Sequence, residues 1–186
     1  INKLFSGTSM ELACSMWLSL KDWTKPINLI RFISQSGSIS TLISKVLDSP
    51  VHDEMLFIII HQIYELWFKQ IIYEIDSVVK YFDSDSINEI SINTIVSRLE
   101  RINDIQKITI KQINILESMT PMDFLEFRDL LNPASGFQSV QFRIIENALG
   151  LKDTTRLKFS KQNYKDFLSK SDMKLAEKYE NNKSIF

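Results

Sequence analysis

The sequence predicts an all-α protein built as a long antiparallel helical bundle. Three observations support this class. Glycine and proline are scarce, with four of each in 186 residues, so the elements are long and uninterrupted. Apolar residues recur at intervals of three and four, which is the period of a helix buried on one face. The alternation of apolar and polar residues that indicates β-strands is not seen.

The first long helix is predicted from residue 50 to residue 82. Ser49 supplies an N-cap and Pro50 a first-turn proline, and Asp53 and Glu54 follow at the positive end of the helix dipole. The sequence DSDSIN, at 83–88, ends the helix. Its apolar positions keep helical spacing: Leu56, Ile59, Ile60, Ile63, Trp67, Ile71, Ile75 and Val78.

A second long helix is predicted from residue 91 to residue 119. Its inward positions are Ile95, Leu99, Ile102, Ile105, Ile113 and Leu116. The sequence TPMD, at 120–123, then forms a capping box with proline at the first helical position. It opens a short third helix that is expected to end at Leu131.

The last part of the chain holds a fourth helix and a charged tail. The sequence NPASG, at 132–136, predicts a turn, and FQSVQFRIIENALG predicts the helix after it, with Gly150 as its C-terminal stop. The tail from Leu151 is expected to be partly helical. Residues 1–48 are expected to form one or two further helices.

Charge and cysteine content exclude several classes of protein. Lys and Arg number 22 against 23 Asp and Glu, and this balance gives no basic surplus for nucleic acid or an anionic membrane. The single cysteine, Cys14, cannot form an internal disulfide, which suits a reducing compartment. No apolar run approaches the ~18 residues of a membrane span. Glu11 interrupts a mildly signal-like start, so a cytoplasmic protein without a targeting segment is predicted.

The chain has only two histidines, His52 and His61, and both lie in HDEMLFIIIHQIYELWFKQ. His61 interrupts an isoleucine run, where it is either a hydrogen-bonded core histidine or a ligand-binding group. A protein-only metal site is disfavoured, because no second histidine joins Glu54, His61 and Glu65 at ligand spacing. A nucleophilic pair with Cys14 is also disfavoured, because that cysteine lies in an ordinary amphipathic stretch.

Arg128 is the second candidate for a binding role. It lies on the third helix, with Phe124, Phe127 and Leu131 around it, and Ser135 follows in the turn before the fourth helix. A guanidinium group among aromatic rings can hold a carboxylate in a two-pronged grip. An ion pair with Asp129 or Glu126 explains the same pattern, and the residues alone leave both interpretations open.

Two segments, HDEMLFIIIHQIYELWFKQIIYEIDSV and ILESMTPMDFLEFRDLLNPASGFQSVQFRIIENALG, closely resemble the tryptophan 2,3-dioxygenase family. The resemblance is dense from His52 to Gly150 and weaker in STLISKVL and NYKDFL. It implies an all-α homotetramer with haem b between helices. It also implies an enzyme that adds both atoms of O2 across the indole C2–C3 bond of L-tryptophan. The product would be N-formylkynurenine, in the first step of the kynurenine pathway.

The resemblance also implies roles for particular residues. His61 corresponds to the distal catalytic histidine, which faces the haem and accepts a hydrogen bond from the indole N–H. Arg128 corresponds to the arginine that binds the substrate carboxylate. The other implied substrate-binding residues are Phe57, Ile60, Phe124, Leu131 and Ser135. Phe57, His61 and Ser135 are also the implied cofactor-binding residues. Phe124 stands where the family often has a tyrosine.

The chain departs from the family in three respects. Residues 1–35 are expected to form a divergent, helical N-terminal segment, and residues 36–186 are expected to form the N-terminal part of a family-like helical domain. The tyrosines of the family's Tyr-Gly-x-Tyr element are absent near QSGSIS, at 35–40. The family's proximal haem histidine lies in a C-terminal region, and no third histidine is present here, so no metal ligand is assigned.

Three hypotheses follow. The first is a family dioxygenase whose chain is incomplete here. The second is a haem-free relative that binds an aromatic amino acid or assists assembly. The third is a structural helical bundle without a ligand.

Overall fold

The structure is a computed structural model that describes residues 51–84, 88–131, 138–151, 156, 163–182 and 184–185. These residues form α-helices and short 3-10 turns, and no strand occurs among them, so the predicted all-α class is confirmed. The α-helices are α1 (His52–Phe82), α2 (Glu89–Leu116), α3 (Pro121–Arg128), α4 (Val140–Ala148) and α5 (Lys170–Asn181). The 3-10 turns are Asp129–Leu131 and Tyr164–Phe167.

Helix α2 follows the predicted periodicity closely, whereas Ile59 and Ile63, two of the apolar positions in the predicted α1 pattern, are exposed. Helix α1 has Asp53 and Glu54 in its first turn and Lys80 in its last, so charges of the favourable sign lie at both ends of the helix dipole. Four of the six inward positions predicted for α2 are buried, and Leu99 and Leu116 are partly buried. The expected cap at Ser49 and Pro50 lies outside the described residues, as do the helices expected for 1–48.

The capping box that opens α3 is present in full. The Thr120 hydroxyl accepts a hydrogen bond from Asp123 N at 3.2 Å, and the Asp123 carboxylate accepts one from Thr120 N at 3.0 Å. Pro121 occupies the first helical position, as predicted. The α-helix ends at Arg128 and the chain continues as a 3-10 turn to Leu131, so the predicted end of the helical segment is correct.

Helix α4 begins at Val140, three residues later than predicted. Ser139 is its N-cap, and the Ser139 hydroxyl accepts a hydrogen bond from Phe142 N at 3.3 Å. A serine is more favourable at a cap than inside a helix, which explains the later start. The predicted stop at Gly150 is confirmed, because Gly150 has a φ of 82°. The Leu151 N–H bonds to Glu146 O at 2.9 Å, which closes the helix end in a Schellman arrangement.

The chain divides into two compact units. The first comprises Ile1–Tyr64 and Thr109–Gln138. Its described core is Phe57, Phe127 and Leu131, with Val51, Leu116, Met119 and Phe124 packed against it. The Tyr64 hydroxyl also donates to Thr109 O at 2.8 Å in this unit.

The second unit comprises Glu65–Ile108 and Ser139–Phe186. Its core contains Ile71, Ile75, Ile102, Ile105, Ile145 and Ala148. The buried Glu74 carboxylate lies 2.6 Å from Arg101 Nη1 and 3.8 Å from Arg98 Nε, so α1 and α2 are joined by ion pairs as well as by apolar packing. The Tyr179 hydroxyl of α5 donates to Asp76 at 2.9 Å.

Helix α1 is long and apolar enough, by length and composition alone, to cross a membrane. The core helix of a soluble protein passes the same test. Within the second unit this helix contributes Ile71 and Ile75 to a protein core and carries the buried, ion-paired Glu74. The sequence-based expectation that no segment spans a membrane therefore stays a prediction.

Candidate functional site

An aromatic cluster in the first unit brings together four of the predicted site residues: Phe57, His61, Phe124 and Leu131. Phe57 and His61 are four residues apart on α1, which places them on one face of the helix, and their ring centroids lie 4.2 Å apart. The Phe57 ring lies 5.8 Å from Phe124, and Leu131 is buried in the same core cluster.

Helix α3 supplies the opposite side of the aromatic cluster. Phe124 and Phe127 are three residues apart on this helix, and their rings meet edge to face at 5.4 Å. Phe127 also lies 5.5 Å from Phe57 and is completely buried. The capping box at Thr120 and Asp123 fixes the start of the helix that carries these rings.

His61 has the electrostatic properties of a neutral hydrogen-bonding group. Its Nδ1 lies 2.6 Å from the main-chain oxygen of Phe57. Burial lowers the pKa of His61 to about 4, and the bond to the Phe57 carbonyl opposes this only in part. The imidazole is therefore uncharged at neutral pH, when one of its nitrogens is a donor and the other an acceptor.

Arg128 is the last residue of α3 and lies one turn after Phe124. It is partly buried and directly follows the buried Phe127 in the sequence. A guanidinium group keeps its charge at all physiological pH values and offers a planar fork of N–H donors. This position is compatible with the predicted role in holding a carboxylate next to aromatic rings.

Ile60 and Ser135 are the two further predicted site residues. Ile60 is 2% exposed and directly precedes His61 on α1, so it belongs to the buried side of this helix. Ser135 lies outside the described residues, together with the rest of the predicted turn.

Glu65, whose spacing from His61 suggested only a possible metal ligand, has another role in the second unit. Its carboxylate accepts hydrogen bonds from Ser139 Oγ at 2.5 Å and from Gln141 Nε2 at 2.6 Å. Burial raises the pKa of Glu65, and the bonds from Ser139 and Gln141 oppose that rise. Among the described residues, no group of three or more His, Cys, Asp or Glu could hold a metal ion.

A second polar cluster links α4 to the 3-10 turn Tyr164–Phe167, and the sequence did not predict it. The Tyr164 ring lies 4.6 Å from the Arg156 guanidinium carbon and 5.4 Å from that of Arg143. Arg143 also pairs with Glu146 at 2.6 Å. The two ring contacts of Tyr164 join positions eight and 21 residues apart, so local spacing gives no signal of them.

The fold and the cluster define an all-α protein whose candidate binding site combines aromatic rings, a neutral histidine and an arginine. The family model for tryptophan 2,3-dioxygenase matches residues 34–186. The chain therefore belongs to the tryptophan 2,3-dioxygenase family.

Individual relatives agree with the family match. The chain is 53% identical over 137 residues to the tryptophan 2,3-dioxygenase of Dictyostelium discoideum, which covers 74% of this chain and 34% of the relative. It is 49% identical over 135 residues to that of Alteromonas mediterranea, covering 73% and 37%. It is also 49% identical over 132 residues to that of Aedes aegypti, covering 71% and 34%. The chain thus spans about a third of the length of these relatives.

Proposed function

We propose that this chain forms part of a haem-dependent dioxygenase that converts L-tryptophan and O2 to N-formylkynurenine. The observation that carries the proposal is the position of His61, whose ring lies 4.2 Å from Phe57 in the aromatic cluster that α3 completes. The relatives named tryptophan 2,3-dioxygenase, at about half identity, support the same activity.

The residues of the site suit the three parts of the tryptophan molecule. Phe57 and Phe124, with Leu131 and Ile60, offer apolar surface for the indole ring. The neutral His61 ring can accept a hydrogen bond from the indole N–H. Arg128 can bind the substrate carboxylate through two N–H donors, and Ser135 is proposed as a further contact. These groups would orient the substrate and exclude water from it.

Haem b is the proposed cofactor, and Phe57, His61 and Ser135 are the residues proposed to contact it. When bound, haem would supply the oxygen chemistry, while the protein supplies binding and orientation. The aromatic cluster and the neutral imidazole fit the substrate side of such a group. No residue is assigned to hold the iron, because His61 is proposed for the substrate side and the other histidine of the chain, His52, has a fully exposed side chain.

The 186-residue chain is therefore expected to hold haem weakly or not at all, since an axial ligand anchors the iron. Haem titration followed by absorption spectroscopy measures this directly. A stable, stoichiometric complex with a histidine-ligated spectrum would contradict the expectation.

Assembly and location belong to the proposal as well. A homotetramer is the assembly implied by the family resemblance, and a cytoplasmic location is proposed because the single cysteine, Cys14, suits a reducing compartment. The balanced charge of the chain supports the expectation that neither nucleic acid nor a membrane surface is a partner.

A second candidate function is that of a haem-free relative that binds an aromatic amino acid or assists assembly. The aromatic cluster with the neutral His61 favours it, because aromatic rings and a hydrogen-bond acceptor can bind an aromatic amino acid without a cofactor. Binding of tryptophan without a haem absorption band would support this candidate. If the chain binds neither tryptophan nor haem, the remaining hypothesis is a structural helical bundle.

The test of the dioxygenase proposal uses a longer protein, called here the completed chain. It consists of this chain followed by the part of the Dictyostelium discoideum relative that lies C-terminal to the matched region. His61→Ala should lower turnover while some activity survives, because one N–H acceptor is lost. The variant should also accept indoles methylated at nitrogen, which the intact site penalises. His52→Ala, at the exposed histidine, is the matched control. Unchanged turnover and unchanged discrimination in His61→Ala would make His61 a core residue only.

A further inference from the structure

The contact between the His61 ring and α1 determines which ring nitrogen carries the hydrogen. His61 Nδ1 lies 2.6 Å from Phe57 O, and a carbonyl oxygen can only accept. At this distance the two atoms share a hydrogen bond, so Nδ1 must be the donor. Because burial lowers the pKa of His61 to about 4, the ring is neutral at pH 7 and has one N–H. Nε2 therefore keeps its lone pair.

Aromatic contacts hold the ring in this orientation. The His61 ring is tilted by 35° against the Phe57 ring at 4.2 Å, and the Phe57 ring is in turn 5.5 Å from the buried Phe127. Turning the imidazole by half a revolution would place a C–H group at the Phe57 carbonyl and would lose the hydrogen bond. Phe57 thus contributes both an acceptor atom and a packed surface to the histidine.

We propose that Phe57 is a positioning residue whose main-chain carbonyl fixes the tautomer of His61, so that Nε2 presents only an acceptor to a bound ligand. For the nature of that ligand, the inference rests on the proposed function. The ligand must bring an N–H or O–H donor to this place, as an indole does. A ligand with an acceptor there would bring two lone pairs together and would be rejected.

The tautomer is a property of the chain itself, so it can be measured without any ligand. Because the chain has only two histidines, their signals are easily distinguished. We would label histidine with 15N and record the proton–nitrogen correlations of the imidazole rings at pH 7. His61 should show a hydrogen on Nδ1 and none on Nε2. The exposed His52 is the internal reference, and His52→Gln assigns the signals. A hydrogen on Nε2 of His61, or an average over both tautomers, would overturn the proposal.

A pair of substitutions tests the consequence for ligand choice in the completed chain. The glutamine amide oxygen can reach the position of Nε2, whereas the shorter asparagine reaches only that of Nδ1. The probes are tryptophan and its benzofuran analogue, in which oxygen replaces the indole N–H. His61→Gln should keep a preference for tryptophan of about tenfold, and His61→Asn should lose it. Equal preference in both variants would overturn the proposal.

The two measurements separate this inference from the proposed function. If tryptophan does not bind to the completed chain, the proposed function fails. In that case the nitrogen spectrum still decides the tautomer, because it needs no ligand. If tryptophan binds but His61 carries its hydrogen on Nε2, the proposed function stands and the inference fails.

Discussion

Arg128 directly follows the completely buried Phe127 at the end of α3. In the completed chain, Arg128→Ala should chiefly weaken tryptophan binding, because it removes a charge-assisted, two-pronged contact worth about 1.5–3 kcal/mol. The expected loss of affinity is roughly tenfold to hundredfold, measured by calorimetry. Arg128→Lys should recover little of it, because an ammonium group cannot reproduce the fork.

Arg101→Ala is the matched control for this prediction. Arg101 pairs with Glu74 in the second unit, so its loss should affect stability more than tryptophan affinity. If Arg128→Ala and Arg101→Ala change the affinity equally, Arg128 does not bind the carboxylate.

His61 should also make the stability of this chain depend on pH. Its pKa in the folded chain, about 4, is below the ordinary value of 6.5, so the unfolded chain binds more protons between these values. The stability contributed by the neutral ring is therefore complete above pH 6.5 and is lost as the pH falls towards 4. His61→Gln should remove this loss, measured as the free energy of unfolding in denaturant at pH 7 and pH 5.

The comparison must be made between variants, because other buried groups act in the opposite sense. Burial raises the pKa of Glu54 and of Glu65, and their contributions are lost as the pH rises. His52→Gln, at the exposed histidine, is the matched control. An equal stability difference between His61→Gln and the intact chain at both pH values would contradict the prediction.

The elements show which sequence signals determine local structure. The capping box at Thr120 and the stop at Gly150 were predicted correctly, because each depends on residues within one turn of the helix end. The start of α4 was predicted three residues too early, because apolar spacing outweighed the capping preference of Ser139. Glu65 was misjudged because its partners, Ser139 and Gln141, lie more than 70 residues away.

Helix α3 should depend measurably on its capping box. Thr120→Ala removes the acceptor for Asp123 N, and we expect a loss of about 1 kcal/mol in the free energy of unfolding. Thr120→Ser keeps the hydroxyl and should lose little. Chemical denaturation of the three proteins measures the difference. Equal stability of the alanine and serine variants would show that the hydroxyl does not stabilise the helix.

For the whole molecule, the sequence predicted the fold class and most of the aromatic cluster. Periodicity identified the long helices, and the family resemblance assigned Phe57, His61, Phe124 and Leu131 to one site, where the structure also brings them together. Neither source could show the hydrogen bond from His61 to its own helix, since that depends on one side-chain rotation.

The intact chain is expected to associate with itself. Large apolar side chains are exposed along one face of α1, at helical spacing: Met55, Ile59, Ile63, Leu66 and Tyr73. Exposed apolar surface of this kind favours association. Leu66→Glu, at a side chain 67% exposed, should shift the chain towards the monomer in sedimentation experiments.

Ile90→Glu is the matched control, because Ile90 is 77% exposed but lies at the start of α2. It should have a smaller effect on association than Leu66→Glu. A single monomeric species of the intact chain at micromolar concentration would contradict the prediction.

Tyr64, whose hydroxyl donates to Thr109 O, lies in the first unit, and its ultraviolet absorbance changes when the hydroxyl loses its hydrogen in alkaline solution. Burial raises the pKa of Tyr64 to about 12, and burial, together with the bond to Asp76, does the same for Tyr179 in the second unit. The stability that the neutral hydroxyl of Tyr64 or Tyr179 contributes to the folded chain is therefore complete below pH 10, and it is lost as the pH rises towards 12. Ultraviolet absorbance of the tyrosinate, followed in Tyr64→Phe and Tyr179→Phe, would show which unit opens first.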